Sequence, residues 1–233
     1  MTETEKRMTA GKFAGLSGDV LKCIAMVTML IDHFTHVYLS YTSDIYWILR
    51  GIGRLAFPIY CFLLVEGFRH TSDYVQYLVR MGLFALIAEI PFDLALYGVP
   101  FYWGYQSVML TMFIGLAGLG AYRWCVNRQL PIYAMLAAVA AIVTAWLVDC
   151  DYGAEGVLLI FLFYLFQYAP VKRAVALGVW CVLFGGLEVW GAFAVIPIAL
   201  YNGERGNSGR WFKWFGYLFY PVHLFLLWLG SVV

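Results

Sequence analysis

SGDVLKCIAMVTMLIDHFTHVYLSY, residues 17–41, is long enough as a helix to cross a bilayer, yet it holds Asp32, His33 and His36 within it. A hydrocarbon core of about 30 Å needs roughly 20 mainly apolar residues of helix, the form that satisfies its own backbone in lipid. A charged Asp, Lys or Arg at mid-membrane costs about 2.5–3.5 kcal/mol or more, so such a group faces protein or water and is a functional candidate. Apolar length with ionisable groups inside it recurs along the whole chain.

The 233 residues are 63% hydrophobic, 19% aromatic and 12% charged, with a mean hydropathy of +0.78. Soluble domains run near half apolar and a quarter charged, so the composition belongs to a membrane protein. Apolar stretches fall near 17–41, 46–68, 75–97, 106–126, 130–148, 155–169, 171–187, 188–201 and 212–231. The sixth to eighth are short, and 171–201 also reads as one long helix interrupted at Gly185-Gly186. Loop charges choose between the two. With about nine spans and a cytosolic N-terminus, Lys6, Arg7, Lys12, Arg69, Arg123, Arg128, Lys172, Arg173, Arg205, Arg210 and Lys213 all fall inside. The outer loops then carry Asp44, Asp149, Asp151, Glu155 and Glu188 but no Lys or Arg. Merging 171–201 would put Arg205, Arg210 and Lys213 outside. The expected fold is therefore an all-α polytopic bundle in the cell (inner) membrane, with its C-terminus outside. A polar cytosolic segment, 1–16, precedes a single membrane domain, 17–233.

Residues 1–16 have neither an apolar core nor a small-residue cleavage site, so targeting is expected to fall to the first span. A net charge of +1 argues against a nucleic-acid surface. The five cysteines have no metal-like spacing and no CxxC pair, so no metal is expected. Pro58, Pro91, Pro197 and Pro221 sit inside spans, where each removes a backbone donor.

Beyond the first span, the second carries Arg50 and Arg54, the third Glu89 and Asp93, and the last His223. Counting along alternating helices puts His33, Arg54, Glu89 and His223 each eight residues from the outer end of its span. That is about 12 Å below the outer surface. The Arg pair and the carboxylate pair are each spaced four apart, one helix face apiece. The two pairs are expected to face each other in a buried charge network. The plain alternative is a clamp that only holds helices together, although buried ion pairs often add little net stability.

His33 is the candidate general base, since imidazole titrates near neutral pH. Asp32, one residue away, points about 100° aside, so Glu89 or Asp93 is the expected carboxylate beside His33. Lys22 precedes His33 by eleven residues, close to three turns, on the same side and about 16 Å along the axis. That length matches a pantetheine arm with its phosphates at Lys22; the alternative is a lysine reaching back to the cytosolic surface. Glu66 and His70 are either lining for a cofactor entrance or a solvated helix end. His223, Tyr220 and Gln106, near the outer layer, are the expected acceptor contacts.

Several runs resemble the TraX family of membrane proteins associated with acetylation of conjugative pilin. They are Leu21-Lys22, Ile24-Ala25-Met26, Met29-Leu30-Ile31-Asp32-His33, Gly53-Arg54-Leu55-Ala56-Phe57-Pro58, Phe62 to Phe68, and Glu89-Ile90-Pro91-Phe92-Asp93. Asp151-Tyr152-Gly153, Tyr201-Asn202-Gly203 and Tyr220-Pro221-Val222-His223-Leu224 extend the likeness over nearly all of the chain from residue 17. Asp19, Leu21, Lys22, Ile24-Ala25 and His33 also look like the first helix of integral-membrane O-acyltransferases. Those enzymes carry Arg where this chain has Lys22, so a phosphate would meet a point charge rather than a fork.

The resemblance implies acetyl transfer from cytosolic acetyl-CoA to an acceptor on the outer side, a pilin-like protein, peptide, glycan or small amine. In that scheme His33 is the base and Arg54 or Arg50 stabilises the oxyanion, with Arg50 also counted among the acyl-CoA contacts. Asp32, Glu89 and Asp93 orient the groups, while a transient acetyl-histidine is equally permitted. A small proton-coupled transporter is the rival reading, since buried acids, bases and histidines also build ion pathways. A non-catalytic assembly or immunity factor is a third.

Overall fold

The computed structural model describes residues 15–232, so of the expected cytosolic segment only Gly15 and Leu16 lie within the described residues. Those residues form α1 (Gly18–Tyr38), α2 (Asp44–Gly53), α3 (Ala56–His70), α4 (Tyr74–Tyr97), α5 (Val108–Asn127) and α6 (Pro131–Leu147). There follow α7 (Gly153–Leu165), α8 (Pro170–Phe184), a 3₁₀ helix (Gly186–Ala194), α9 (Val195–Ala199) and α10 (Arg210–Val232). Among the described residues there is no strand, only the isolated bridges Leu16–Tyr201 and Gln106–Cys150.

Local chemistry sets the ends. The Ser17 side chain accepts from Val20 N at the start of α1, and Asp73 accepts from Gln76 N at the start of α4. Pro131 and Pro170 open α6 and α8, where a missing N–H costs nothing. Gly98 ends α4 with φ +70°, a left-handed conformation that suits glycine.

One expected span is broken in two, and another, 188–201, is α-helical only in its last turn after a 3₁₀ start. The stretch 46–68 divides at Arg54–Leu55 into α2 and α3, because Pro58 has no N–H to offer the Arg54 carbonyl four residues back. The region 171–201 ends α8 at Gly185, continues in 3₁₀ form from Gly186, and becomes α-helical again only at Val195. Gly185 and Gly186 take φ +62° and +55° there, which redirects the chain.

Four stretches of the described residues are long and apolar enough to cross a membrane: Gly18–Tyr38, Asp44–His70, Val108–Asn127 and Trp211–Val232. Pro131–Leu147, Gly153–Leu165 and Gly186–Ala199 are apolar but shorter. The 24-residue α4 is long enough but carries Arg80, Glu89 and Asp93. A core built on Phe62, Phe68, Leu116, Leu159 and Trp180 joins the middle of the chain. On the other side, α1 packs against α2, α3 and α10, while α10 also lies along α4. The space enclosed between α1, α3, α4, α5 and α10 is where the site lies.

α1 and α2 approach closely where Asp32 rests on Gly53, and a Cβ at Gly53 would overlap the Asp32 side chain. Gly53→Ala is expected to cost about 1–3 kcal/mol and lower the melting temperature in detergent. Gly178→Ala, whose new methyl meets nothing within 4 Å, is expected to hold or raise it.

Candidate functional site

The buried charges converge on Asp32. Its Oδ2 accepts from Arg50 Nη1 at 2.7 Å, and Arg54 Nη2 reaches both carboxylate oxygens at 3.3 Å. Arg54 Nη1 donates to Glu188 Oε1 at 3.1 Å and to the Tyr152 hydroxyl at 3.0 Å. One carboxylate of α1 thus holds both arginines, and the second of them ties in the 3₁₀ helix and the loop before α7.

This corrects the expectation that the arginines face Glu89 and Asp93. Glu89 instead accepts from Ser107 N at 3.1 and 3.2 Å and from Ser107 Oγ at 2.7 Å, capping the start of α5. Asp93, only 3% exposed, accepts from Tyr102 N at 2.8 Å. Both acids therefore pin the loop 98–107. Depth along a helix was legible in the sequence, but direction around it was not, and α2 packs on α1 rather than on α4. Gln106 is likewise turned to backbone, with its Nε2 on Trp103 O at 3.1 Å and its main chain bridged to Asp149 and Asp151.

His33, one residue beyond Asp32, points toward α10. Its Nδ1 lies 2.7 Å from Nε2 of His223, and His223 Nδ1 lies 2.7 Å from the Phe219 carbonyl oxygen. The two rings meet edge to edge, with centroids 4.9 Å apart and planes 25° from parallel. Tyr220 presents its ring edge-on to His33 at 5.9 Å. The neighbour of His33 is thus a second imidazole, and neither Glu89 nor Asp93 hydrogen-bonds to it among the described residues.

A cavity of about 790 Å³ runs past these groups. His33, Asp32, Arg50, Arg54 and Tyr220 line it together, and Lys22, Glu66 and His70 line it further along. Glu89, Asp93, Gln106 and His223 do not; His223 stands behind His33 instead. Lys22 shares its end of the cavity with Arg80, Arg205 and Lys213; Arg205 and Lys213 are close enough to feel its charge, and Lys213 in turn feels Arg80. The Lys22 ammonium also sits 5.1 Å from the centre of the Phe212 ring. Glu66 is paired with Arg69, while His70, 65% exposed, bonds the Glu66 carbonyl at 2.9 Å on the rim.

At the other end, Asp151 accepts from Tyr105 OH at 3.0 Å. Burial pushes its carboxyl above the usual range, against the pull of Arg54. Sequence reasoning missed Arg80, Arg205, Lys213, Tyr152, Asp151 and Glu188 as site residues. Arg80 carried a usable signal, a full charge inside an apolar stretch. Glu188 carried none, since it reads as an ordinary loop acid.

These features define an all-helical membrane protein with a polar, histidine-bearing cavity inside it. The family model described as "TraX protein" matches residues 17–231, and the chain belongs to that family. It is 30% identical over 234 residues to the probable fimbrial assembly protein FimC, serogroup H1, of Dichelobacter nodosus, covering 89% of this chain and 92% of that one. No solved structure matches the chain.

Removing Asp32 leaves two buried guanidiniums without their shared partner. Asp32→Ala is expected to cost about 3–5 kcal/mol. Glu89→Ala, which uncaps a helix and frees one loop, is expected to cost about 1–3 kcal/mol. Thermal melting in detergent reads the order, and a larger loss at Glu89 would contradict the central place given to Asp32.

Proposed function

We propose that this protein is a membrane-embedded acetyltransferase. It moves an acetyl group from cytosolic acetyl-CoA to an amine or hydroxyl acceptor on the outer side, with His33 as the general base. The observation that carries this reading is the single cavity joining the cluster of Lys22, Arg80, Arg205 and Lys213 to His33. Four cations at one end suit the phosphates of the donor, and about 16 Å of α1 separates Lys22 from His33. Membership of the family and the fimbrial name of the relative support a pilin-like acceptor.

Each group then has a task. The basic end binds the donor phosphates. The His33 nitrogen that is not bonded to His223 removes a proton from the acceptor N–H or O–H. The acceptor atom bonds to the thioester carbonyl carbon, the carbon–sulfur bond breaks with its electron pair going to sulfur, and His33 returns the proton to the thiolate. Arg50 and Arg54 line the cavity beside His33. Both suit the charge that develops on the carbonyl oxygen, a stabilisation often worth about 2.7–4 kcal/mol per donor.

The protein is placed in the inner membrane as a multi-pass chain, with its N-terminus and the Lys22 end of the cavity in the cytosol. The absence of Lys and Arg from the loops assigned to the outside supports this. Single cysteines introduced at Ser208 and Asp149 are expected to react with a membrane-impermeant maleimide from the cytosolic and outer sides respectively. Labelling of both from one side would overturn the orientation.

Purified protein supplied with acetyl-labelled acetyl-CoA and envelope extract is expected to label an acceptor. His33→Ala is expected to lower the rate by roughly 10²–10⁴-fold while acetyl-CoA binding persists. Label transfer that survives His33→Ala would overturn the role of His33. Solute flux in proteoliposomes without any transfer would favour a transporter instead.

A further inference from the structure

His223 was expected among the acceptor contacts, but it does not line the cavity. It is 6% exposed and has a bond on each ring nitrogen, one to His33 and one to its own helix. Those two bonds fix more than position. A backbone carbonyl only accepts, so His223 Nδ1 must carry a hydrogen and donate to Phe219 O. With both imidazoles uncharged, His223 Nε2 then has a lone pair and no hydrogen. It accepts from His33, whose Nδ1 must therefore be the protonated nitrogen. The lone pair of His33 is left on Nε2.

We propose that His223, set by the Phe219 carbonyl, is the positioning residue that holds His33 in its Nδ1–H form and so reserves Nε2 as the basic atom. This rests on the acetyltransferase reading and deepens it. A base whose hydrogen sits on the wrong nitrogen is present but inert. A carboxylate usually prevents this in histidine-dependent sites. Here the surroundings argue against another acid. Asp32, Asp151 and Glu188 already gather around Arg50 and Arg54, so a further buried carboxylate would add an unpaired charge. An imidazole fixed by a carbonyl accepts a hydrogen bond with no charge of its own. When His33 takes up a proton on Nε2, its Nδ1–H still points at His223, which stabilises the imidazolium through the same bond. The charged and titratable groups around His33 are Asp32 and His36 on its own helix, Arg50 on α2, Arg54 at the break after α2, and Tyr220 and His223 on α10.

The test compares His223→Gln, which keeps an acceptor at similar reach, with His223→Phe, which keeps the ring volume and loses it. Two readouts are taken on each purified full-length protein in detergent. The first is the rate at which diethyl pyrocarbonate modifies His33 across pH, followed by peptide mass spectrometry; the reagent attacks only an unprotonated ring nitrogen. The second is acetyl transfer, separated into kcat and KM for acetyl-CoA. His223→Phe is expected to lower kcat by roughly 10²–10⁴-fold with KM unchanged and to alter the pH profile of His33 modification. His223→Gln is expected to restore most of both. A structural role would instead make Phe the milder change.

Identical His33 modification profiles in the wild type, Gln and Phe proteins would overturn the proposal even if transfer were active. The opposite split is equally informative. A profile that changes with Phe and recovers with Gln, in a protein that acetylates nothing, would uphold the pairing and overturn the reaction assigned to it.

Discussion

Two guanidiniums share one carboxylate at the centre of this molecule, and the carboxylate sits on the helix that also carries the histidine. Taking Asp32, Arg50 and Arg54 out of water costs several kcal/mol per ion, and each is tolerable only because the others are there. Glu188 and the Tyr152 hydroxyl complete the second arginine, so a 3₁₀ segment and a loop far along the chain are drawn to the same point. Gly53 makes the geometry possible by letting α2 lie against Asp32 itself. Loosening that contact would shift α1, and with α1 both Lys22 and His33.

Adjacent residues on a helix diverge by about 100°, and α1 uses that angle to separate two tasks. Asp32 faces α2 and holds the bundle. His33 faces α10 and the cavity, where it meets His223 at 2.7 Å. Eleven residues earlier, Lys22 returns to the cavity side at its basic end. Three turns of a single helix thereby span the distance between the cationic cluster and the imidazole, along a cavity that Asp32 and its two arginines also line.

The helices were legible because lipid leaves few options: apolar runs of sufficient length must be helical, and prolines and glycines mark their ends. Even the break inside 46–68 was written at Pro58, although hydropathy smoothed it over. The site was legible where depth alone decides, as for His33 and His223, which share a layer and touch. Where azimuth decides, the sequence was silent. Glu89 and Asp93 share a face four residues apart, yet that face looks onto the loop 98–107 and not onto the arginines. Their true counterpart, Glu188, comes from the first turn of a nine-residue 3₁₀ helix, where it reads as the acid of an ordinary loop.

A clamp that merely joined helices would bury its polar groups on every side, because any face left open to a cavity forfeits packing. The groups here are arranged differently. Asp32, Arg50, Arg54 and His33 are tied down from one direction and line open space on the other, while His223 behind them is enclosed. An ion-pair network open to a cavity on one face leaves its guanidiniums free to strengthen their bonds to negative charge that develops there, as the proposed transfer requires.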